Sequence, residues 1–271
     1  MASQTPANDL IFDVGGHKGE DSDFYLKLGY RVVAVEANPE LARGLRQRFA
    51  DEAAAGRFTL VDKAISDHGQ PLPFYVNTSE SVWGTTDAEW AKRNEGLGTQ
   101  SETITVESVR FGDVLAASGC PYYMKIDIEG ADRLCVEALR EAACRPAYLS
   151  IESEKRSWAA LVAEFDLLES LDYTRFQVVD QRKHADSRFN DREGAPLDYR
   201  FEESASGPFG HYLSRPWLTR GQALRRYMWI FAMYKTVGDN TPGERLLKRL
   251  PGGHRVLRRV GWFDTHAQHG G

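Results

Sequence analysis

An α/β fold built on a mostly parallel sheet, with helices on both faces, is what this chain predicts, and three observations predict it. Short apolar runs alternate with helix-like segments from Leu10 to Val179, the pattern of parallel strands joined by covering helices. A glycine-rich stretch, Gly15-Gly16-His17-Lys18-Gly19, follows directly on the first run. Glu36 closes the second run, Arg31-Val-Val-Ala-Val-Glu36, so that strand, turn, strand and acidic tip fall at the spacing of one βαβ unit.

The elements follow in order. Leu10–Val14 reads as a short buried strand, Ser22–Leu28 as a helix and Val32–Val35 as the next strand. Pro39–Ala54 reads as one helix, because Pro39 suits a first helical turn. Phe58–Val61 is a third strand, and Leu72–Val76 and Thr103–Val109 are shorter ones flanking a polar loop, Asn77–Gln100, with Trp83 and Trp90. A loop of that length inside a compact domain is either functional or disordered. Tyr122–Ile128, Tyr148–Ile151 and Phe176–Val179 supply further strands. The helices between them are Ala131–Ala142 and Trp158–Leu171, the latter with Leu161, Phe165 and Leu168 on one face. Asp180–Ser206 mixes charges with few aliphatics and reads as an insertion or a mobile lid; Gln222–Val237 and Pro242–Leu250 read as helices. The division expected is a core over residues 1–206 and a basic, aromatic-rich helical cap over residues 207–271.

Composition narrows the class. With 271 residues and 42% hydrophobic content the chain suits one catalytic domain plus an appendage. The stretch Met1–Asp9 is polar and no apolar run is long enough to span a bilayer, so a soluble, cytoplasmic protein without stable membrane insertion is expected. Cys120, Cys135 and Cys144 form no C-x-x-C pair, which argues against a disulfide framework or a zinc cluster. The net charge of −5 hides an asymmetry: from Gly207 onward there are 11 Lys/Arg against 3 Asp/Glu. That tail is either a set of solvated helix faces or an attractor for an anionic substrate or surface. A small molecule or glycan, anionic in character, is the expected partner; nucleic acid is not, and the aromatic helix is a candidate homodimer contact.

Two strings carry the chemistry. Leu10-Ile-Phe-Asp-Val-Gly-Gly-His-Lys-Gly19 ends a strand at Asp13 and turns on glycines that let the backbone approach a ligand. Glu36 sits where a carboxylate can accept two hydrogen bonds from a ribose diol. The glycine spacing is not G-x-G-x-x-G, and Glu36 is followed by Ala37-Asn38-Pro39; together these point to S-adenosyl-L-methionine. The second string, Tyr123-Met-Lys125-Ile-Asp127-Ile-Glu129-Gly-Ala-Asp132, alternates ionisable with apolar residues, placing Lys125, Asp127 and Glu129 on one side of a strand end. Buried together, such charges must pair or bind something.

With these strings the chain resembles the FkbM-type methyltransferases, a branch of the class I S-adenosylmethionine-dependent enzymes. The resemblance rests on Phe12-Asp-Val-Gly-Gly-His-Lys-Gly19, Val35-Glu-Ala-Asn-Pro39 and Lys125-Ile-Asp-Ile-Glu-Gly-Ala-Asp132, with Gly16 where an alanine is common. It implies a Rossmann-like, seven-stranded, mostly parallel sheet with one antiparallel edge strand. It also implies that Asp13, Gly15, Gly16, His17 and Gly19 surround the methionine moiety, that Glu36 holds the ribose with Ala37 and Asn38 beside the adenosine, and that Asp62, Lys63 and Ala64 frame the adenine. Asp127 and Glu129 would lie near the amino group or the acceptor, and the acceptor would be a hydroxyl of a sugar, glycolipid or secondary metabolite. Lys125, Asp127 and Glu129 all stay open as the group that removes its proton. His17, His184, His211 and His266 are further candidates by residue type.

Two rival readings remain. A nicotinamide-dependent oxidoreductase would also use an acid after the second strand, and a non-catalytic protein could bind a partner through the basic tail. A metal assisted by Asp127 and Glu152 has no support from the carboxylate spacing or from a histidine ligand cluster, so no metal is expected.

Overall fold

A computed structural model describes residues 6–79, 83–96, 98–153, 157–181, 187–202, 204–237, 241, 243, 246, 248 and 263–270. The chain runs through β1 (Ala7–Val14), α1 (Glu20–Lys27), β2 (Arg31–Val35), α2 (Pro39–Arg48), α3 (Ala50–Ala54), β3 (Phe58–Val61), β4 (Ala64–Ile65) and β5 (Leu72–Asn77). It continues with α4 (Ala88–Gly96), β6 (Ser101–Val106), β7 (Ser108–Val109), α5 (Phe111–Ser118), β8 (Pro121–Ile126), α6 (Asp132–Glu141), β9 (Tyr148–Glu152), α7 (Trp158–Glu169) and β10 (Tyr173–Asp180). β11 (Ser187–Asn190), β12 (Pro196–Tyr199), α8 (Arg220–Val237) and β13 (Phe263–His269) complete it.

Seven strands form the central sheet in the order β10-β13-β9-β8-β1-β2-β3. Pairings β1 to β2, β1 to β8, β2 to β3 and β8 to β9 are parallel. β13 is antiparallel to both β9 and β10. The antiparallel strand is therefore not at the edge, as expected, but one place in from it. Nor do residues 207–271 form a separate cap, because Phe263–His269 lies between two strands of the core. Alternation explains the position: Phe263 and Ala267 join the apolar cluster on one face, while buried Asp264 and His266 fall on the polar side.

Apolar clusters cover both faces. One gathers Leu10, Phe12 and Met124 with Phe111, Leu139, Phe165 and Tyr227. The other gathers Ile11 and Tyr123 with Phe24, Leu45, Phe49 and Phe209. The helix expected over Pro39–Ala54 breaks at Phe49 (φ −112°, ψ 30°), whose ring packs on Phe58 at 4.7 Å. Residues 187–201 are no loose lid: β11 and β12 pair as a hairpin, and Phe189, Tyr199 and Phe201 surround Phe24 at 4.8–5.0 Å. The helix expected over Pro242–Leu250, like His184 and Trp262, falls largely or wholly outside the described residues.

Cys120 and Cys144 form a disulfide, with their Cα atoms 5.4 Å apart. The spacing argument against a disulfide fails because it looked for neighbours along the chain. Cys120 enters β8 and Cys144 leads towards β9, and parallel pairing brings those two entrances together.

Candidate active site

The order of connection reverses at β1, whose neighbours are β2 on one side and β8 on the other, and a crevice opens outside the carboxyl ends of such strands. Here it is an open cleft, in the place where small-molecule and cofactor sites form in such sheets. Gly15, Gly16, His17, Glu36, Ala37, Asn38, Lys63, Ala64, Lys125, Asp127 and Glu129 all line it. The expected residues that do not line it are Asp13, Gly19 and Asp62.

The glycine turn fits tightly. Gly15 has φ +89°, and a Cβ there would stand 1.9 Å from the Asp127 carbonyl oxygen, so only glycine lets the turn cross the end of β8. Gly15 and Gly16 both donate backbone N–H to the Val35 carbonyl at 2.9 and 3.0 Å. Gly19 instead lies under the Phe49 ring and begins α1. Asp13 is fully buried behind the turn, where its carboxylate accepts from Ser22 Oγ at 2.6 Å. Asp62 points to the surface and pairs with Arg46, because it follows Val61 on the opposite side of the strand end.

Glu36 is buried at the tip of β2. One carboxylate oxygen accepts the N–H of His17 and the other that of Asn38, each at 2.8 Å. A carboxylate has about four acceptor sites, so capacity for a diol remains. Burial pushes Glu36 up to about 7, against the pull of the Asn38 and His17 N–H groups and of the His17 and Lys125 charges. Asn38 also caps α2 by accepting from Glu40 N–H at 2.9 Å.

Lys125 is the electrostatic centre. Its ammonium donates to the Gly15 carbonyl at 2.9 Å and stands 3.3, 3.5 and 3.8 Å from carboxylate oxygens of Asp13, Asp21 and Asp127. Burial opposes its charge, but Asp13, Asp127 and Asp21 hold it well above the usual lysine range. It therefore has no lone pair to offer, and of the three candidate bases it is the one the geometry removes. Asp21, pushed up to about 6 by burial with Asp13 adding and Lys125 opposing, also accepts from Ser206 N–H at 2.8 Å.

Asp127, Glu129 and Glu152 each offer a carboxylate oxygen, all within 4.8 Å of one another. Three hard oxygens in that space must share protons or suit a divalent cation; folding adds Glu129 to the pair considered from sequence. Glu129 is held well above the usual carboxylate range by burial, then by Glu152, Asp127 and Asp132. Burial likewise pushes Asp132 up to about 7. The loop after β5 closes this side: Thr85 Oγ1 donates to the Glu129 carbonyl at 2.6 Å, and Trp90 packs against Gly130. The long polar loop thus has a structural task.

Sequence reasoning missed several lining residues, among them Glu20, Asp21, Phe74, Thr86 and Ser204. Acidic residues just after a glycine turn were the available signal for the first two. It also missed a buried polar row, Asp13, Lys125, Ser150, His266 and Gln177, set in register across five strands. Tyr122 Oη lies 3.3 Å from His211 Nδ1, and His211 lines a different hollow from the cleft.

Five carboxyl groups (Glu20, Asp21, Glu36, Asp127, Glu129) and two lysines line the cleft. Such a wall attracts a cationic ligand, and α1, which carries Glu20, Asp21 and Asp23 in its first turn, does not present the open N-terminus that a pyrophosphate takes. Fold and site therefore define an α/β enzyme for a cationic nucleoside cofactor. Residues 13–175 match the methyltransferase FkbM domain, and the chain belongs to that family of S-adenosylmethionine-dependent methyltransferases.

A curated relative, "Probable ribosomal RNA small subunit methyltransferase A" of Natronomonas pharaonis, is 33% identical over 79 residues, covering 29% of this chain and 28% of that protein. Among solved structures, the C-terminal domain of precorrin-6Y C5,15-methyltransferase from Rhodobacter capsulatus is 11% identical with a TM-score of 0.38, over 73% of this chain and 79% of that one. An rRNA methylase from Streptococcus thermophilus is 10% identical with a TM-score of 0.36, over 72% and 85% of the two chains. Among the described residues, no helix is long and apolar enough to cross a membrane.

Proposed function

We propose that this enzyme methylates a hydroxyl of a sugar, glycolipid or secondary metabolite. The observation that carries the reading is that one cleft is lined both by a ribose-type acceptor, Glu36, and by two members, Asp127 and Glu129, of a carboxyl cluster that Glu152 completes from behind the wall. The residues fit S-adenosylmethionine: Glu36 takes the ribose, Ala37, Lys63 and Ala64 with the apolar walls of Ile65 and Phe74 take the adenine, and Glu20, Asp21 and Asp127 face its cationic end. The cofactor supplies a methyl group already activated on a sulfonium.

The chain's own residues then align the acceptor, exclude water and accept a proton. Lys125 holds the glycine turn in place. Asp127 takes the hydroxyl proton, and Glu129, whose carboxyl burial and the neighbouring acids keep protonated, donates a hydrogen bond that orients the acceptor. A sugar-type acceptor is supported by the family resemblance, and the carboxyl cluster supplies the proton acceptor that its hydroxyl needs.

The test uses S-adenosylhomocysteine titration and methyl transfer to a panel of sugars and glycolipids. Glu36→Ala should weaken cofactor binding by about 1.5–3 kcal/mol per lost charge-assisted bond. Glu129→Gln and Asp127→Asn should lower turnover while leaving that affinity nearly intact. Transfer to amine acceptors alone would sink the hydroxyl reading.

A further inference from the structure

We propose that the exposed face of α8 docks the enzyme on an anionic lipid surface. This inference is independent of the acceptor. α8 is anchored through Ala223, Tyr227, Ile230 and Phe231, all buried, with Tyr227 Oη 2.9 Å from Thr265 Oγ1 of β13. Its outer arc is therefore held rigidly to the sheet.

That arc leaves Trp229 80% and Met228 57% exposed. A single exposed apolar residue needs no explanation, but a largely uncovered tryptophan beside an exposed methionine does. Arg225 and Lys235 are exposed on the same arc, with Arg226 partly so, and α8 contains no Asp or Glu over its 18 residues. Arg220 in the first turn pairs with Asp166 and Glu169, and Asp180 acts on half-buried Arg226 from the sheet side. Beyond that turn the exposed charges are all positive.

Charge decides the occupant. A second copy packed symmetrically through this arc would set the Arg225 and Lys235 of one copy against the same cationic arc of the other, a like-charge arrangement that opposes association. An anionic bilayer satisfies both halves of the surface: tryptophan and methionine enter the headgroup boundary while arginine and lysine stay with the phosphates. The helix would then lie along the membrane plane, with no span required.

Flotation of the full chain with vesicles tests this. The expected result is recovery with vesicles containing phosphatidylglycerol, little with phosphatidylcholine alone, and release by salt. Trp229→Ala should weaken binding at least about tenfold, and Arg225→Glu should do so by a separate, salt-sensitive route. Met228→Ser serves as the second variant should Trp229→Ala alter the melting temperature. Equal recovery with both vesicle types, no recovery with either, or binding unchanged in all three variants overturns the proposal. So does a concentration-dependent dimer that Trp229→Ala abolishes.

Discussion

Lys125 donates to the carbonyl oxygen of Gly15 at 2.9 Å, across 110 residues of chain. The bond fastens the cofactor turn to the strand that carries the carboxyl cluster, so the two halves of the site share one charged anchor. The same ammonium neutralises Asp13 and Asp21, both buried.

Removing that anchor should therefore be a folding lesion before it is a catalytic one. Lys125→Met leaves buried carboxylates without their counter-charge, a change that costs about 3–5 kcal/mol. Urea denaturation measures it; a loss under about 1 kcal/mol would overturn the role of Lys125 as the buried counter-charge.

Glu36 makes the cofactor-free enzyme pH-sensitive. Its folded value of about 7 stands above the ordinary 4.5. The folded state thus holds this proton more tightly than the unfolded chain, and its contribution is complete below about 4.5 and lost as pH rises through about 7. The amount is on the order of 3 kcal/mol. Melting temperature should fall between about pH 5 and about pH 8, and Glu36→Gln should flatten part of that slope. Cofactor affinity should move the opposite way, rising with pH as the carboxylate ionises.

The Cys120 to Cys144 bridge closes a separation of 24 residues, for which the unfolded chain loses entropy worth about 3 kcal/mol. Melting with and without dithiothreitol should show that loss. S-adenosylhomocysteine affinity at low temperature should not change, since the bridge lies at the strand entrances and the cleft at their exits.

Ending the chain at Ser206 removes β13 and α8 together. β10 then has no partner strand, and Phe165 and Phe176 lose the cover of Tyr227. The truncated protein should lack a cooperative melt and bind no cofactor; retained affinity would mean that the β1 to β9 half folds alone.

Much of this was legible in the chain because local pattern and global placement agreed. The runs at β1, β2 and β3 are apolar enough to be central strands, and the glycine turn with Glu36 fixed the cleft's location. β13 was not legible because Phe-Asp-Thr-His-Ala-Gln-His spends alternate positions on a buried polar row whose other members lie on β1, β8, β9 and β10. Asp62 was misplaced because motif position says nothing about which way the last residue of a strand end points. Asp21 went unread because its role depends on Lys125, more than a hundred positions away, and Glu20 because it acts through its pairing with His17.

The place of β13 also governs when the molecule can be completed. Among the described residues β10 pairs in the sheet with β13 alone, so the ribosome must deliver some eighty further residues after Asp180 before β10 has that edge to join. Until then β9 presents an open, unpaired flank, the kind of template on which nascent chains cross-pair. β13 acts as a closing stitch, and the risk of misassembly is concentrated in the interval before it is made.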